Sequence, residues 1–352
     1  MRRITIVAGA RPNFVKVAPL IRAIQKTSDA SYLLVYAGCS DDPTLESSIF
    51  DDLQMPRPDV YLGVDSTRLN EITSRVMSSF DAFLDHHPTD VVIVVDDLAS
   101  TMAAAIVTKK RGLKLAHLVA GTRSFDMSMP KEVNRLVIDA LSDYLFTAGV
   151  KSNSVATREQ SDGAGTYMVG NILMDTLRFN HSRFVPPSGF SLAPSSYLVF
   201  TLNRKALLSD ELKLQHLLVA MTESCGGLPI VAPLRPQSQS IVSRLVGPSS
   251  AITYLPPLPY LEFGWLTSHA KGIITDSGNV AEEATFNGVP CITLNSYTEH
   301  QETVSIGSNV LVGEDPVRLS AELSRMVRGE WKRCGLPDRW DGRTAERIIQ
   351  IL

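Results

Sequence analysis

The chain has 352 residues, enough for two domains that each bury a core, and carries a formal net charge of −3 with 20% charged residues. That balance supplies no field for nucleic acid or an anionic membrane surface, so a ligand is expected in a local pocket. Four scattered cysteines, Cys39, Cys225, Cys291 and Cys334, lack metal-ligand spacing and read as reduced thiols of a cytoplasmic protein without a metal. No apolar run reaches the roughly eighteen residues of a membrane span. The opening Ile4–Val7 run breaks at Gly9 and Arg11, too early for a signal peptide.

Ile4 to Ala8 reads as a short buried strand, and Gly9-Ala10-Arg11-Pro12 turns it into an amphipathic helix through Val17, Leu20, Ile21 and Ile24. Arg11 and Lys16 fall in and just beyond that turn, where two cations can hold a diphosphate or simply be solvated. A strand from Tyr32 to Ala37, a helix from Glu71 to Leu84 and a continuous apolar strand from Val91 to Val95 follow. The last runs into Asp96-Asp97. Strand-helix alternation predicts a parallel sheet with helices on both faces, in which the carboxyl ends of strands line the ligand crevice. Asp97 is therefore either a crevice residue or the N-cap of a helix at Ser100 to Thr108, and spacing alone favours the cap. Leu115 to Val119 is the next strand. Arg123 to Asn134 reads as a polar loop before a helix starting near Asn134, with Glu132 in the loop or at the helix start, and Val169 to Thr176 reads as a last strand with its turn.

Between Phe179 and Ser196 the periodicity fails among Pro186, Pro187, Gly189 and Pro194, which marks a linker. Strands at Tyr197–Leu202, Ile230–Pro233 and Ile273–Ile274 and helices at Asp210–Ser224 and Tyr260–Ser268 then repeat the alternation. The stretch Thr275 to Pro290, TDSGNVAEEATFNGVP, is a strand end, a tight turn and a helix start. Amides and the helix dipole there can hold a phosphate against Ser277, Gly278 and Asn279, while Glu282 or Glu283 can accept hydrogen bonds from a ribose diol. Every α/β protein has junctions of this shape, so the turn alone is a weak signal. A terminal helix is expected from Ala345 to Leu352.

Several blocks together resemble the non-hydrolysing UDP-N-acetylglucosamine 2-epimerase family: GARPNFVKVAPLI, VDDLAST, AGTRSFDMSMPKEVNR, LSDYLF, VGNILMDTL, TDSGNVAEEA, TEHQETV and GSNVLVG, in the family's order along nearly the whole chain. The resemblance implies a GT-B-like α/β fold: an N-terminal Rossmann-like lobe over 1–180, a linker over 181–196, a UDP-binding lobe over 197–340 and a terminal helix over 341–352. It also implies a homodimer in polysaccharide biosynthesis, with no metal or nicotinamide cofactor. Ser277, Gly278, Asn279 and Glu283 match positions for the diphosphate and ribose. Arg11, Lys16, Arg135, Asn203, Arg204 and Arg235 match or replace further ligand-side positions. The implied reaction removes the C2 proton, expels UDP to leave a glycal, and re-adds UDP after protonation from the other face. Such a reaction needs an acid and a base on opposite faces of the sugar ring.

The sequence departs from the family pattern where those groups are expected. Val119 stands for the glutamate of an HVEAG block, Lys131 for the first acid of a PEExNR block with Glu132 kept, and Asn203 for the histidine of an LHR block. Cys39 and Ser40 replace the glutamine and histidine of a TGQH block. Arg235 replaces the histidine of a PVHP block, and Asp96 the glycine before Asp97. Loss of a general acid or base costs about 10²- to 10⁴-fold, so slow turnover is expected from Asp97, with Asp96 or Lys131 taking over a role. The competing expectations are a UDP-sugar-binding homologue without turnover and, on fold analogy alone, a glycosyltransferase. Lys131 and Arg235 add positive charge, which predicts a ligand at least as anionic as a plain UDP-sugar.

Overall fold

The computed structural model describes residues 1–247 and 251–352, and their contacts divide into two compact units, Met1–Phe179 with Asp338–Leu352, and Asn180–Pro337. In chain order the first unit holds β1 (Arg2–Ala8), α1 (Arg11–Gln25), β2 (Ala30–Tyr36), α2 (Ser47–Leu53), β3 (Val60–Tyr61), α3 (Leu69–His86), β4 (Val91–Val95), α4 (Ala99–Lys110), β5 (Lys114–Leu118), α5 (Pro130–Leu141), β6 (Tyr144–Thr147), α6 (Val150–Glu159), β7 (Gly165–Met168) and α7 (Ile172–Asn180). Its seven strands are all parallel, in the order β3-β2-β1-β4-β5-β6-β7.

The second unit holds β8 (Leu198–Thr201), α8 (Lys205–Ser209), α9 (Glu211–Ser224), β9 (Ile230–Pro233), α10 (Pro236–Val246), β10 (Ile252–Leu255), α11 (Tyr260–Ser268), β11 (Gly272–Thr275), α12 (Gly278–Asn287), β12 (Cys291–Thr293), α13 (Glu302–Ser305), β13 (Asn309–Leu311) and α14 (Pro316–Val327). Its six parallel strands run β10-β9-β8-β11-β12-β13. Both faces of this sheet are buried, and alternate residues of one strand serve different cores. Leu198 and Phe200 join Leu214, Leu217 and Leu323, whereas Val199 joins Leu266, Ile273 and Ala284 on the other side.

In each unit the strand order reverses once: between β1 and β4 in the first, between β8 and β11 in the second. At such a switch point the loops leaving neighbouring strands diverge and open a crevice at the carboxyl ends. Gly9–Arg11 and Asp96-Asp97 lie at the first switch point. Leu202–Arg204 and Asp276-Ser277 lie at the second.

Three sequence-based expectations change. The segment read as a strand over Val169 to Thr176 becomes α7 from Ile172, with Asn171 Oδ1 accepting from the Leu173 amide at 3.0 Å, and the strand lies earlier at Gly165–Met168. α5 starts at Pro130 rather than near Asn134, because proline at the first helical position has a preset φ and lacks only an amide hydrogen that would be unpaired anyway. The chain from Asp338 packs with the first unit: Trp340 is fully buried there with Nε1 donating to the Ala148 carbonyl at 3.0 Å. Asp175 then accepts from the Thr344 and Ala345 amides at 3.0 and 2.8 Å, which caps α15 (Thr344–Ile351).

Candidate functional site

At the second switch point, Asp276 joins the two strand ends by accepting from the backbone amides of Asn203 at 2.7 Å and Arg204 at 2.5 Å. The hydroxyls of Thr201 and Thr275 meet at 2.7 Å below it. Ser277 occupies the N-cap of α12 with extended dihedrals but no side-chain hydrogen bond, and a Cβ added at Gly278 would meet nothing within 4 Å. Gly278 and Asn279 are exposed. α12 thus begins at an uncapped, unobstructed turn, which suits an anion.

Glu283 lies farther along the same helix. It is 7% exposed, and among the described residues it has no hydrogen bond or ion pair. Burial, with a smaller contribution from the neighbouring Glu282, pushes its carboxyl up to about 8. Glu282 has a partner, His300, whose Nε2 stands 3.5 Å from its Oε1. A buried carboxyl with no donors is costly unless something else supplies them. The Arg204 guanidinium donates to Asn295 Oδ1 at 2.6 Å and pairs with Glu314. The Asn203 side chain is exposed, as is Arg235, the N-cap of α10.

At the first switch point the charges interlock. Asp97 Oδ2 accepts from Arg135 Nε at 2.8 Å and lies 2.6 Å from its Nη2, while Lys131 Nζ approaches Oδ1 at 3.4 Å. Burial works against the Asp97 charge, but Lys131, Arg135 and Lys16 outweigh it and hold the carboxyl below its usual range. Asp97 is not the cap of α4. Leu98 holds that position, one residue on, and the Asp97 carboxylate turns toward α5. Glu132, in the first turn of α5, accepts from the Ser124 amide and hydroxyl, the Phe125 amide and Arg135 Nη1, all within 2.8–3.2 Å. Burial again opposes its charge, and these donors win and lower its pKa. Its oxygens are thus engaged in pinning the 124–125 loop.

Asp96 has φ +61, in the left-handed region. Its oxygens receive Lys16 Nζ at 2.6 Å and Asn13 Nδ2 at 2.8 Å. Lys16 is therefore engaged by a carboxylate of its own chain. Arg11 is half-buried, with Nε unpartnered among the described residues.

A second layer, absent from the sequence-based candidates, supports the two aspartates. His117 Nδ1 lies 2.5 Å from Asp139 Oδ1, and its Nε2 lies 3.1 Å from the Asp96 carbonyl. Asp139 also pairs with Arg123 at 2.7 Å and accepts from the Gly121 amide at 3.0 Å. Burial would raise the Asp139 carboxyl, but His117, Arg123 and the Gly121 amide hold it down. Asn134 Nδ2 donates to the Asp97 carbonyl at 2.8 Å. The available signal was Asp139 itself, an acid one turn beyond Arg135 and next to Ile138 on the buried face of α5.

Two parallel Rossmann-type sheets with polar clusters at their switch points define a GT-B-like α/β protein. The sequence model of the UDP-N-acetylglucosamine 2-epimerase family matches residues 22–352, and the chain belongs to that family. It is 32% identical to the UDP-2,3-diacetamido-2,3-dideoxy-D-glucuronate 2-epimerase of Pseudomonas aeruginosa, across 100% of this chain and 99% of that protein. It is 29% identical to the UDP-N-acetylglucosamine 2-epimerase of Methanocaldococcus jannaschii, across 99% and 98% of the two chains. The crystal structure of the M. jannaschii enzyme in complex with UDP-GlcNAc and UDP matches with a TM-score of 0.85 and 28% identity, covering 99% of each chain. A lipopolysaccharide outer core galactosyltransferase, WaaB, shares the fold alone, with a TM-score of 0.60 at 13% identity.

Proposed function

We propose that the protein binds a UDP-2-acetamido sugar and performs 2-epimerase chemistry on it. The observation that carries this reading is the start of α12, without a side-chain cap, with Glu283 buried behind it and unpartnered among the described residues. That pairing offers amides to a diphosphate and an acceptor to the two hydroxyls of a ribose. Family membership supplies the reaction. A base takes the C2 proton, the C1–O bond breaks as UDP leaves with the electron pair, and the glycal is reprotonated at C2 from the other face before UDP adds back.

In this chain Asp97 is the proton acceptor, since its three cations keep it ionised. Lys131, its ammonium 3.4 Å from the same carboxylate, supports the Asp97 charge rather than acting from the opposite face of the ring. A strongly ionised carboxylate is a weak base, so turnover is slow. The substrate carries an added anionic group. Lys131 and Arg235 both present exposed charge, and a relative at 32% identity is named for a glucuronate. Titration with UDP-GlcNAc and with a UDP-2-acetamido uronic acid tests this. Tighter binding of the uronic acid is expected, and a clear preference for UDP-GlcNAc would contradict it.

The second reading is a UDP-sugar binder without turnover. Two observations favour it: Val119 at φ +73, a strained conformation for a β-branched residue, and Glu132 with its oxygens engaged. On the family's account the protein works as a cytoplasmic homodimer in polysaccharide biosynthesis, which light scattering and cell fractionation would check.

A further inference from the structure

At the first switch point the chain supplies its own anion. The amides of Gly9 and Ala10, at the start of α1, donate to Asn13 Oδ1 at 2.8 and 3.1 Å. Asn13 Nδ2 and Lys16 Nζ in turn both donate to the Asp96 carboxylate. The Lys16 and Asp96 side chains are 9% and 19% exposed, so the pair is screened less than a surface ion pair. The first turn of α1 has no acidic residue of its own. Asp96 reaches Lys16 from β4 with a left-handed backbone, a conformation that aspartate tolerates and glycine adopts freely.

We propose that Asp96 is a built-in competitor for Lys16, an affinity- and charge-setting residue that occupies the cation α1 would otherwise offer to a ligand diphosphate. This rests on the nucleotide-sugar reading for the identity of the ligand, but the competition itself is a property of the pair. Removing the carboxylate takes the negative charge of Asp96 away from the ammonium. An incoming diphosphate then gains an interaction that in the native protein must displace an internal one. Asp97, whose carboxylate also feels Lys16, stays in place and limits the gain to about tenfold, some 1.4 kcal/mol.

The test is calorimetric titration of the full chain and of Asp96→Gly, Asp96→Asn, Lys16→Met and Asp96→Gly/Lys16→Met variants. The probes are UDP-GlcNAc and inorganic pyrophosphate, each at low and high salt. Asp96→Gly is expected to bind both probes about tenfold more tightly, with the gain shrinking in salt. Lys16→Met is expected to abolish the gain in the Asp96→Gly background, and in the native background, where it takes a cation from the Asp96 carboxylate, to weaken binding of both probes. A gain that survives Lys16→Met in the Asp96→Gly background, or no gain with either probe, overturns the proposal. Asp96→Asn, which keeps the side-chain size and tolerates positive φ, carries the test if Asp96→Gly melts early. A Lys16-dependent gain for pyrophosphate in a protein that ignores UDP-GlcNAc supports the competitor role and refutes the nucleotide-sugar reading instead.

Discussion

Glu283 makes ligand affinity depend on pH in a calculable way. In the free protein its carboxyl is pushed up to about 8, so it is largely protonated at neutrality. Ribose hydroxyls donate hydrogen bonds, and donors favour the ionised carboxylate, so binding is coupled to proton release. The ionised fraction is about 1% at pH 6, about 9% at pH 7 and about 50% at pH 8. If the complex holds the carboxylate ionised throughout, the dissociation constant for UDP-GlcNAc falls about fiftyfold from pH 6 to pH 8, close to 2.3 kcal/mol. UDP-GlcNAc suits the titration because both its phosphates are diesterified and keep their charge across this window. Glu283→Gln leaves the neighbouring Glu282 and its partner His300 in place. The variant should lose the slope and bind more weakly than the native protein at pH 8. A native dissociation constant that moves less than about threefold, or a slope that survives in Glu283→Gln, would refute the reasoning.

The same group bears on folding. Its folded pKa lies above the ordinary 4.5, so its contribution to stability is complete below pH 4.5 and is lost as pH rises through about 8. Urea unfolding should show the native protein losing on the order of 3–5 kcal/mol relative to Glu283→Gln between acid and alkaline pH. Two glycines separate conformation from crowding. Gly112 (φ +71) has open space around its Cβ direction, and Gly112→Ala should cost about 1–2 kcal/mol in thermal unfolding. Gly121 (φ +74) would drive a Cβ to 2.0 Å from the Ser152 carbonyl oxygen, and Gly121→Ala should cost at least twice as much.

Much of the framework was readable from apolar runs bounded by turn residues. Val91–Val95, Ile230–Pro233 and Tyr260–Ser268 have the ends the sequence predicts. Errors arose where a short apolar run supports either period, as at Val169–Thr176, or where a polar stretch hid a proline-started helix at Pro130. In the site, the strand-end position of Asp97 and the closeness of Lys131, Glu132 and Arg135 follow from order along the chain, whereas their sharing one helix does not, since the expected helix began near Asn134. The capture of Lys16 does not. It depends on the φ of Asp96 and on Asn13, which meet only when β1 and β4 pair. The His117–Asp139 contact joins residues 22 apart on different elements, beyond the reach of any local pattern.

The most direct test of the account is proton NMR of UDP-GlcNAc and of a UDP-2-acetamido uronic acid, each with the protein in deuterated water, following the C2 proton and the anomeric signals, with Asp97→Asn in parallel. The account predicts slow loss of the C2 proton with appearance of the 2-epimer, and a rate lowered about 10²- to 10⁴-fold by Asp97→Asn. Line broadening that shows both ligands bound, with the C2 proton retained throughout, would contradict it and leave the protein a nucleotide-sugar binder.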